Sequence, residues 1–385
     1  MKKIIYYTHI YFLDVALEVV RQLAEHYEVY LYIELAPESL RANIFNLDAD
    51  LNDYKTITPF AEVQDRWNLD YYKPYFEKLK AVNFVIFGIN RSISLYAWRK
   101  SFAIRASFRM INPDYIHYDD FSIRQLWMVP FFTLNKKRFV LNVHDPKPHS
   151  GEKSLKRALI KRAIFRSAGR FVCFSKYSSE LLAAFEDGRK ITDLRLTPYT
   201  FYRNYRHTER GIPGQITFAF VGRLATYKGI DLFIEAAALI GARYPEARFI
   251  IAGKPVGGYV LDAATLPGQQ LDCRIRHIEN EELVTIIGES DVVVCPYRDA
   301  TQSGVMMTAF ALEKPVIVSP VGGLPEYVAQ GTGIVMQDTT GIALSRAMEN
   351  FIHQQRAQNR QPDPETYDSK EPRAYNVNQF TKIYK

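Results

Sequence analysis

The sequence predicts an α/β protein made of two doubly wound domains that face each other across a central cleft. Three observations carry this expectation. The chain has 385 residues, more than one core usually sustains, so two domains of roughly 150–200 residues are expected. Short β-rich runs alternate with segments of helical period from end to end, the pattern of parallel strands joined by crossover helices. The alternation breaks once, in an aperiodic stretch rich in Tyr, Arg, Asn, Thr, Gly and Pro, and then restarts. This places a first domain at 1–198, a linker at 199–213, a second domain at 214–362, and a tail helix at 363–385 that is expected to pack back on the first domain.

In the first domain the β-rich runs are 3–8, 28–32, 81–87, 114–118, 139–143 and 170–174, with helical segments at 13–25, 71–80, 93–108, 154–167 and 178–185. In the second, strands are expected at 216–221, 248–252, 274–278, 292–295 and 316–318. Its helices are expected to end near 240 and to cover 281–287, 305–312 and 342–352. The opening MKKIIYYTHIYFLDVALEVV imitates a signal peptide, but His9 and Asp14 interrupt its apolar run and no small-residue cleavage site follows. It reads as a first strand and helix. No run of about 18 apolar residues occurs, so no transmembrane helix is expected.

Composition narrows the class. The chain is 47% hydrophobic and 24% charged, as in ordinary globular proteins. The net charge of +7 is uneven: residues 1–212 hold 33 Lys/Arg against 23 Asp/Glu, and residues 213–385 hold 16 against 19. The first half therefore attracts anions. Its cations are scattered and no basic groove is lined with aromatics, which favours a membrane surface over nucleic acid. Cys173, Cys273 and Cys295 are odd in number and lack metal-site spacing. A reduced, cytoplasmic location is expected, on the inner face of the plasma membrane if the cations meet lipid.

The chemistry is concentrated in the second half. Phe218 opens FAFVGRLATYKGID, a buried strand that turns at Gly222 and presents Arg223 and Lys228 just before a helix. Fixed cations at the carboxyl end of a strand, beside a helix N-terminus, make an anion site. Lysine in that position is disfavoured by the helix dipole unless an anion is present; the alternative is a solvated helix start. A second strand ends in Gly253-Lys254 and brings backbone and charge to the same edge. A third ends at Tyr297, and the polar loop 298–303 leads to Gly304 and a helix. The N–H groups of Gln302, Ser303, Gly304 and Val305 would form a second anion cradle. Farther on, Gly322-Gly323 permits close backbone approach, and Glu326 is placed to accept from ligand hydroxyls.

In their order and spacing, VGRL-x3-KGID, FIIAGK, ESDVVVCPY and SGV-x3-A-x5-PVI-x3-VGGLPE resemble the retaining glycosyltransferases of the GT-B fold, glycosyltransferase family 4, also called group 1. The resemblance covers most of the second half and is looser in the first. It implies two Rossmann-like domains and a nucleoside-diphosphate sugar as donor, with UDP- and GDP-sugars foremost. Arg223 and Lys228 would hold the diphosphate, helped by the amides of Gly304 and Val305, with Glu326 near the donor. Relatives carry a Glu-x7-Glu pair in this region. Alignment on Pro315 puts Ala300 and Thr308 there instead, so Asp299 or Gln302 would serve the sugar and the Thr308 hydroxyl the ribose. The acidic pair's absence leaves a non-catalytic partner subunit open. Another GT-B activity, such as a phosphorylase or nucleotide-sugar epimerase, stands beside it.

In the first half, LNVHDPKPH delivers His144 and Asp145 from a strand end; the alternative is a capping turn before Pro146. In the resembled family a histidine here contacts the donor sugar near the reacting carbon, so both residues are catalytic candidates. His9, Asp14 and His149 are acceptor-side candidates, beside a structural role. Tyr11 and Phe12 stand where many relatives have a glycine-rich loop. The segment from Gly151 to Arg170 has seven basic residues and one acid. It reads as a surface helix packed by Leu155, Leu159, Ile160, Ala163 and Ile164, or as a basic face toward anionic lipid extended by Arg91, Arg99, Lys100, Arg105 and Arg109. The expected reaction is sugar transfer, with retention, to a glycan or lipid-linked acceptor in surface polysaccharide or glycolipid biosynthesis. No metal and no further cofactor are expected, since Lys, Arg and backbone amides can hold a diphosphate.

Overall fold

The computed structural model describes residues 1–40, 45, 47, 49–120, 122–146, 155–185, 191–205, 214–260, 270–358, 380 and 382–384. His149, the linker residues 206–213 and most of the tail from 363 lie outside them.

The first sheet contains β1 (Lys3–His9), β2 (Glu28–Leu35), β3 (Ile57–Pro59), β4 (Ala81–Ile86), β5 (Tyr115–Asp119), β6 (Phe139–Val143), β7 (Arg170–Cys173) and β8 (Ile191–Asp193). Their spatial order is β3-β4-β2-β1-β5-β6-β7-β8. All pairs are parallel except the edge strand β3, which runs antiparallel to β4. The helices around it are α1 (Leu13–Leu23), α2 (Phe60–Val63), α3 (Lys73–Phe76), α4 (Leu95–Ile111), α5 (Val129–Leu134), α6 (Leu155–Ser167) and α7 (Lys176–Ala183).

The second sheet is fully parallel, in the order β11-β10-β9-β12-β13-β14. It contains β9 (Ile216–Val221), β10 (Ala247–Ala252), β11 (Leu271–Arg274), β12 (Val292–Cys295), β13 (Val316–Val318) and β14 (Gly333–Val335), with α8 (Ile230–Gly241), α9 (Asn280–Glu289), α10 (Gly304–Ala311) and α11 (Gly341–Gln358).

Parallel strands must be covered on both faces, and these are. Along β1, Ile4 and Tyr6 enter one apolar cluster while Ile5 and Tyr7 enter another on the opposite face, as the two-residue repeat of a strand requires. The first of these clusters runs on into the second domain through Tyr199, Phe201 and Tyr202, all buried. This crossing is a 3-10 turn, Thr200–Asn204. It is pinned on both sides: Thr200 N donates to Glu18 Oε1 at 2.8 Å, and Arg203 Nε donates to Ala311 O at 2.6 Å. The first stretch of the linker is thus built into the seam.

Two expectations are corrected in detail. The segment 71–80 is not one helix: a 3-10 turn, Asp70–Tyr72, is followed by the short α3, which has Pro74 in its first turn. The strand expected at 274–278 lies at Leu271–Arg274, because the pairing with β10 begins at Phe249–Leu271. The tail contributes Phe380, Ile383 and Tyr384, all buried. Tyr115 Oη donates to Tyr384 O at 2.7 Å and Arg170 Nη1 to Ile383 O at 2.6 Å, which seats these residues against the first sheet.

Strand order reverses between β1 and β5 in the first sheet and between β9 and β12 in the second. Ligands bind at such switch points, beyond the strands' carboxyl ends. Here the two carboxyl edges meet.

Candidate active site

On the second domain the site starts where β9 ends. Gly222 has φ +118°, and a Cβ on it would lie 3.3 Å from Val305 Cγ2. The turn thus packs directly on the first residues of α10. Gly229 has φ +67°, and a Cβ there would fall 2.0 Å from Pro296 O, so only glycine can open α8 at this point. A Cβ on Gly253 would meet Gly222 O at 1.7 Å. The β9 and β10 loops are therefore zipped together, with Leu224 N donating to Lys254 O at 2.9 Å. Lys254 and Arg223 have exposed side chains, and Arg223 Nη2 donates to Tyr227 Oη at 3.3 Å.

Lys228 is held differently. Its Nζ sits 3.7 Å from the centroid of the Tyr297 ring, a cation–π contact. Burial pulls its pKa down to about 8, the Arg223 guanidinium adds to the fall, and Asp145 across the cleft opposes it. No carboxylate is paired with it among the described residues. A partly desolvated ammonium without a counterion is a ready receptor for an anion.

α10 begins beside it. Ser303 caps this helix, its side chain accepting from Met306 N at 3.4 Å. Thr308, at one position of the family's acidic pair, donates its hydroxyl to Gly304 O at 3.1 Å. Ala300, at the other, is buried, and Gly322 packs so closely that a Cβ would lie 1.7 Å from Ala300 O. Neither position offers a carboxylate. Arg298, in the same loop, is paired with Asp231 at 2.6 and 2.5 Å. Asp299 is half-buried beside it.

The first domain answers from the opposite side. β6 ends at Val143, and the next side chain, His144, is buried. Its Nε2 lies 2.7 Å from Asp119 Oδ1. Its Nδ1 lies 2.7 Å from Gln302 Nε2 of the second domain. Phe12 lies flat on its ring, with centroids 4.0 Å and planes 9° apart, and Phe174 flanks it at 4.8 Å. Burial alone would lower the His144 pKa, but the Asp119 carboxylate outweighs it and raises the value above 6.5. Conversely, burial would raise Asp119, yet His144 and Asn142 hold it below the usual carboxylate value.

Asp145 binds the other domain as well: Thr301 Oγ1 donates to its Oδ1 at 2.5 Å. Asp14 stands at the first turn of α1, and a Cβ on Gly304 would lie 4.0 Å from its Oδ2. Burial pushes its pKa up to about 6. His9 is engaged elsewhere, its Nδ1 3.3 Å from Glu34 Oε1.

Glu326 is turned toward the first domain. Its two carboxylate oxygens accept the backbone N–H groups of Lys176 at 2.7 Å and Tyr177 at 2.8 Å, at the N-terminus of α7 in the first domain. A Cβ on the neighbouring Gly323 would fall 2.7 Å from Ser175 Cβ, so this glycine lets the two backbones touch.

The structure thus gathers His144, Asp145, Asp14, Gln302, Gly304, Val305, Gly222 and Lys228 around one seam. It leaves Arg223 and Lys254 at the rim and sets Glu326 on the N-terminus of α7. Sequence reading missed Asp119, whose only signal was an Asp at the end of a β-rich run, and it missed Phe12 as a platform for His144. The sequence holds one Asp-x-Asp triplet, Asp48-Ala49-Asp50. Asp50 accepts from Asn52 N at 3.0 Å, and Asp48 lies outside the described residues. Among the described residues no group of three or more His, Cys, Asp or Glu side chains could hold a metal, and no helix is long and apolar enough to cross a membrane.

Known proteins resemble this chain in two ways. Residues 215–354 match the family model described as glycosyl transferases group 1. A D-inositol 3-phosphate glycosyltransferase of Corynebacterium glutamicum (strain R) is 35% identical over 164 residues, which is 39% of this chain and 39% of that protein. The chain thus spans about two fifths of the length of such relatives. In three dimensions, HepE of Anabaena in complex with UDP superposes over 95% of this chain and 92% of its own, with TM-score 0.60 and 12% identity. The catalytic domain of starch synthase IV from Arabidopsis thaliana, bound to ADP and acarbose, covers 100% and 98%, with TM-score 0.62 and 12% identity. The matched segment holds the Gly222–Lys228 turn and the Ser303 cap, and both sheets take part in the structural likeness: residues 215–354 match the group 1 glycosyl transferases, and the chain has the GT-B fold.

Proposed function

We propose that the protein is a glycosyltransferase that moves a sugar from a nucleoside-diphosphate sugar to a glycan or lipid-linked hydroxyl, with retention of anomeric configuration. The observation that carries this reading is the meeting of Lys228 and the α10 N-terminus with His144 across a single seam. The difficulty of the reaction is departure of the diphosphate from the anomeric carbon. Lys228, Arg223 and the Gly304 and Val305 amides are placed to stabilise the charge that develops there, before any reorganisation. His144 and Asp145 line the opposite wall, where the sugar would lie. Asp14, whose pKa burial pushes up to about 6, stands between the α10 N-terminus and the acceptor side.

The acceptor side also favours a membrane. From Gly88 to Pro113 the chain has no acidic residue. On α4, the face opposite the buried Ala97, Ser101, Ile104 and Phe108 exposes Trp98, Phe102 and Met110 among Arg99, Arg105 and Arg109. This surface suits an anionic bilayer better than α6 does. On α6, Lys161 is spent on the carbonyls of Asp145 and Pro146 at 2.7 and 3.0 Å, and Leu159, expected in its packed stripe, is 69% exposed. A donor site in a chain that also carries a lipid-facing helix fits assembly of surface polysaccharide or glycolipid at the cytoplasmic face.

The test is a thermal-shift screen against UDP-, GDP-, ADP- and CMP-sugars. A true donor at about 100 times its dissociation constant adds about 2.7 kcal/mol of stability. Stabilisation by none of them sinks the reading. The second reading, a non-catalytic partner subunit, is favoured by one observation: Thr308 spends its hydroxyl within its own helix. Donor binding without transfer to any acceptor would support it.

A further inference from the structure

A hydrogen-bonded chain runs through the first domain from the tail to His144, and its direction can be read atom by atom. Asp119 is fully buried. As a carboxylate it can only accept. Asn142 must therefore turn its Nδ2 toward it, at 2.9 Å, and the same Nδ2 donates to Tyr6 Oη at 3.0 Å. That leaves Asn142 Oδ1 facing His117 Nε2 at 2.6 Å. An amide oxygen only accepts, so His117 carries its proton on Nε2. Its Nδ1 then accepts from the hydroxyl of Tyr384. On the other side of Asp119, His144 Nε2 must likewise carry a proton. Its Nδ1 is left as an acceptor, turned to Gln302 in the seam. Thr8 Oγ1 completes the shell at 3.1 Å from Asp119 Oδ2.

Donors therefore point from both ends toward one carboxylate. Within a buried network each such bond polarises the next. His117 acts as a neutral link: burial lowers its pKa to about 4.

We propose that Tyr384, acting through His117 and Asn142, is a positioning residue for His144: it helps hold Asp119 as an acceptor, so that His144 keeps its Nε2 proton inward and presents Nδ1 to the cleft. This rests on the reading of His144 as part of the donor site. It makes the chain's far end a contributor to chemistry that no cleft-lining residue would reveal. The tail does not depend on the hydroxyl for its seat. Tyr384 O accepts from Tyr115 and from Lys2 Nζ at 3.1 Å, and the ring packs on Tyr27 and Tyr115. Removing the hydroxyl alone therefore leaves the packing in place.

The experiment uses the full chain labelled with 15N in the histidine rings, with His144→Gln to assign the signal. The titratable groups that face His144 are Asp119, Asp120, Asp145 and Asp14, and Tyr384→Phe touches none of them. In the wild type His144 is expected as the Nε2–H tautomer, titrating above 6.5. Asp119→Asn is expected to lower that pKa by about 1–3 units, the usual effect of removing a neighbouring opposite charge. Tyr384→Phe is expected to move it in the same direction by less and to weaken the tautomer preference, with the acidic limb of the pH–rate profile following and KM for the donor unchanged. A His144 titration in Tyr384→Phe that superimposes on wild type overturns the proposal, whether or not Asp119→Asn folds. The ring spectra need no sugar donor. Absence of nucleotide binding beside an intact titration shift would therefore count against the proposed function and leave this chain of bonds standing.

Discussion

Glu326 reaches out of the second domain and accepts the Tyr177 N–H of the first at 2.8 Å. With Lys176 N at 2.7 Å on its other oxygen, it caps α7 from across the seam. A carboxylate at a helix N-terminus satisfies orphan donors and complements the dipole. Replacing such a cap costs about 0.5–2 kcal/mol. Glu326→Ala is therefore expected to speed hydrogen exchange at the Lys176 and Tyr177 amides by about tenfold, the equivalent of 1.4 kcal/mol. Exchange at α4 should stay unchanged. Equal rates at the two amides in both proteins would show that the cap carries no weight.

Asp14 should make stability depend on pH in a definite direction. Burial raises its pKa from 3.8 to about 6, so the folded state disfavours the charged form. The penalty is absent below about pH 4, grows through the interval between the two values, and is complete above 6. Asp14→Asn should thus match wild type in melting temperature at pH 4 and exceed it at pH 7. The gain is below about 3 kcal/mol, and less to the extent that water reaches the carboxyl. A gain that shrinks as pH rises would contradict the assignment.

The α4 face should bind anionic vesicles. Each basic residue near such a surface contributes about 1 kcal/mol, so Arg99→Glu with Arg109→Glu should weaken binding to phosphatidylglycerol vesicles by well over tenfold. Added salt should weaken wild-type binding too. Trp98→Ala should reduce it at all salt concentrations. All three positions are exposed and none belongs to the seam described above, so nucleotide binding should not change. Co-sedimentation with vesicles reads all three, and equal binding to neutral vesicles would rule the surface out.

Much of the fold was legible because parallel sheets buried on both faces leave continuous apolar runs, and because crossover helices keep their own period. The short edge strands β3, β8 and β14 were not: at three residues each and only partly buried, they lack the apolar run that marks the equally short but buried β13. In the site, Lys228, Gly229 and Gly304 could be read from one contiguous motif each. His144 could be read from a strand end, but its pairing with Asp119 could not, because the two stand 25 residues apart and meet only through the parallel pairing of β5 with β6. Glu326 shows the opposite case. A Gly-Gly-x-x-Glu element suggested a ligand, and only the closed seam reveals a helix end as its partner.

The central claim is that Lys228 is a counterion held ready for a diphosphate. Its pKa of about 8 gives the test a sign. An anion bound to Lys228 restores the charged form, so affinity should be level below pH 8 and fall by up to about tenfold per pH unit above it. The measurement is calorimetric titration of UDP, ADP and GDP between pH 7 and pH 10, followed with the tightest of the three against Lys228→Met. The expected result is binding at least tenfold tighter in wild type at pH 7, with the pH dependence above 8 lost in the variant. Equal affinity of the two proteins across the range would contradict the account.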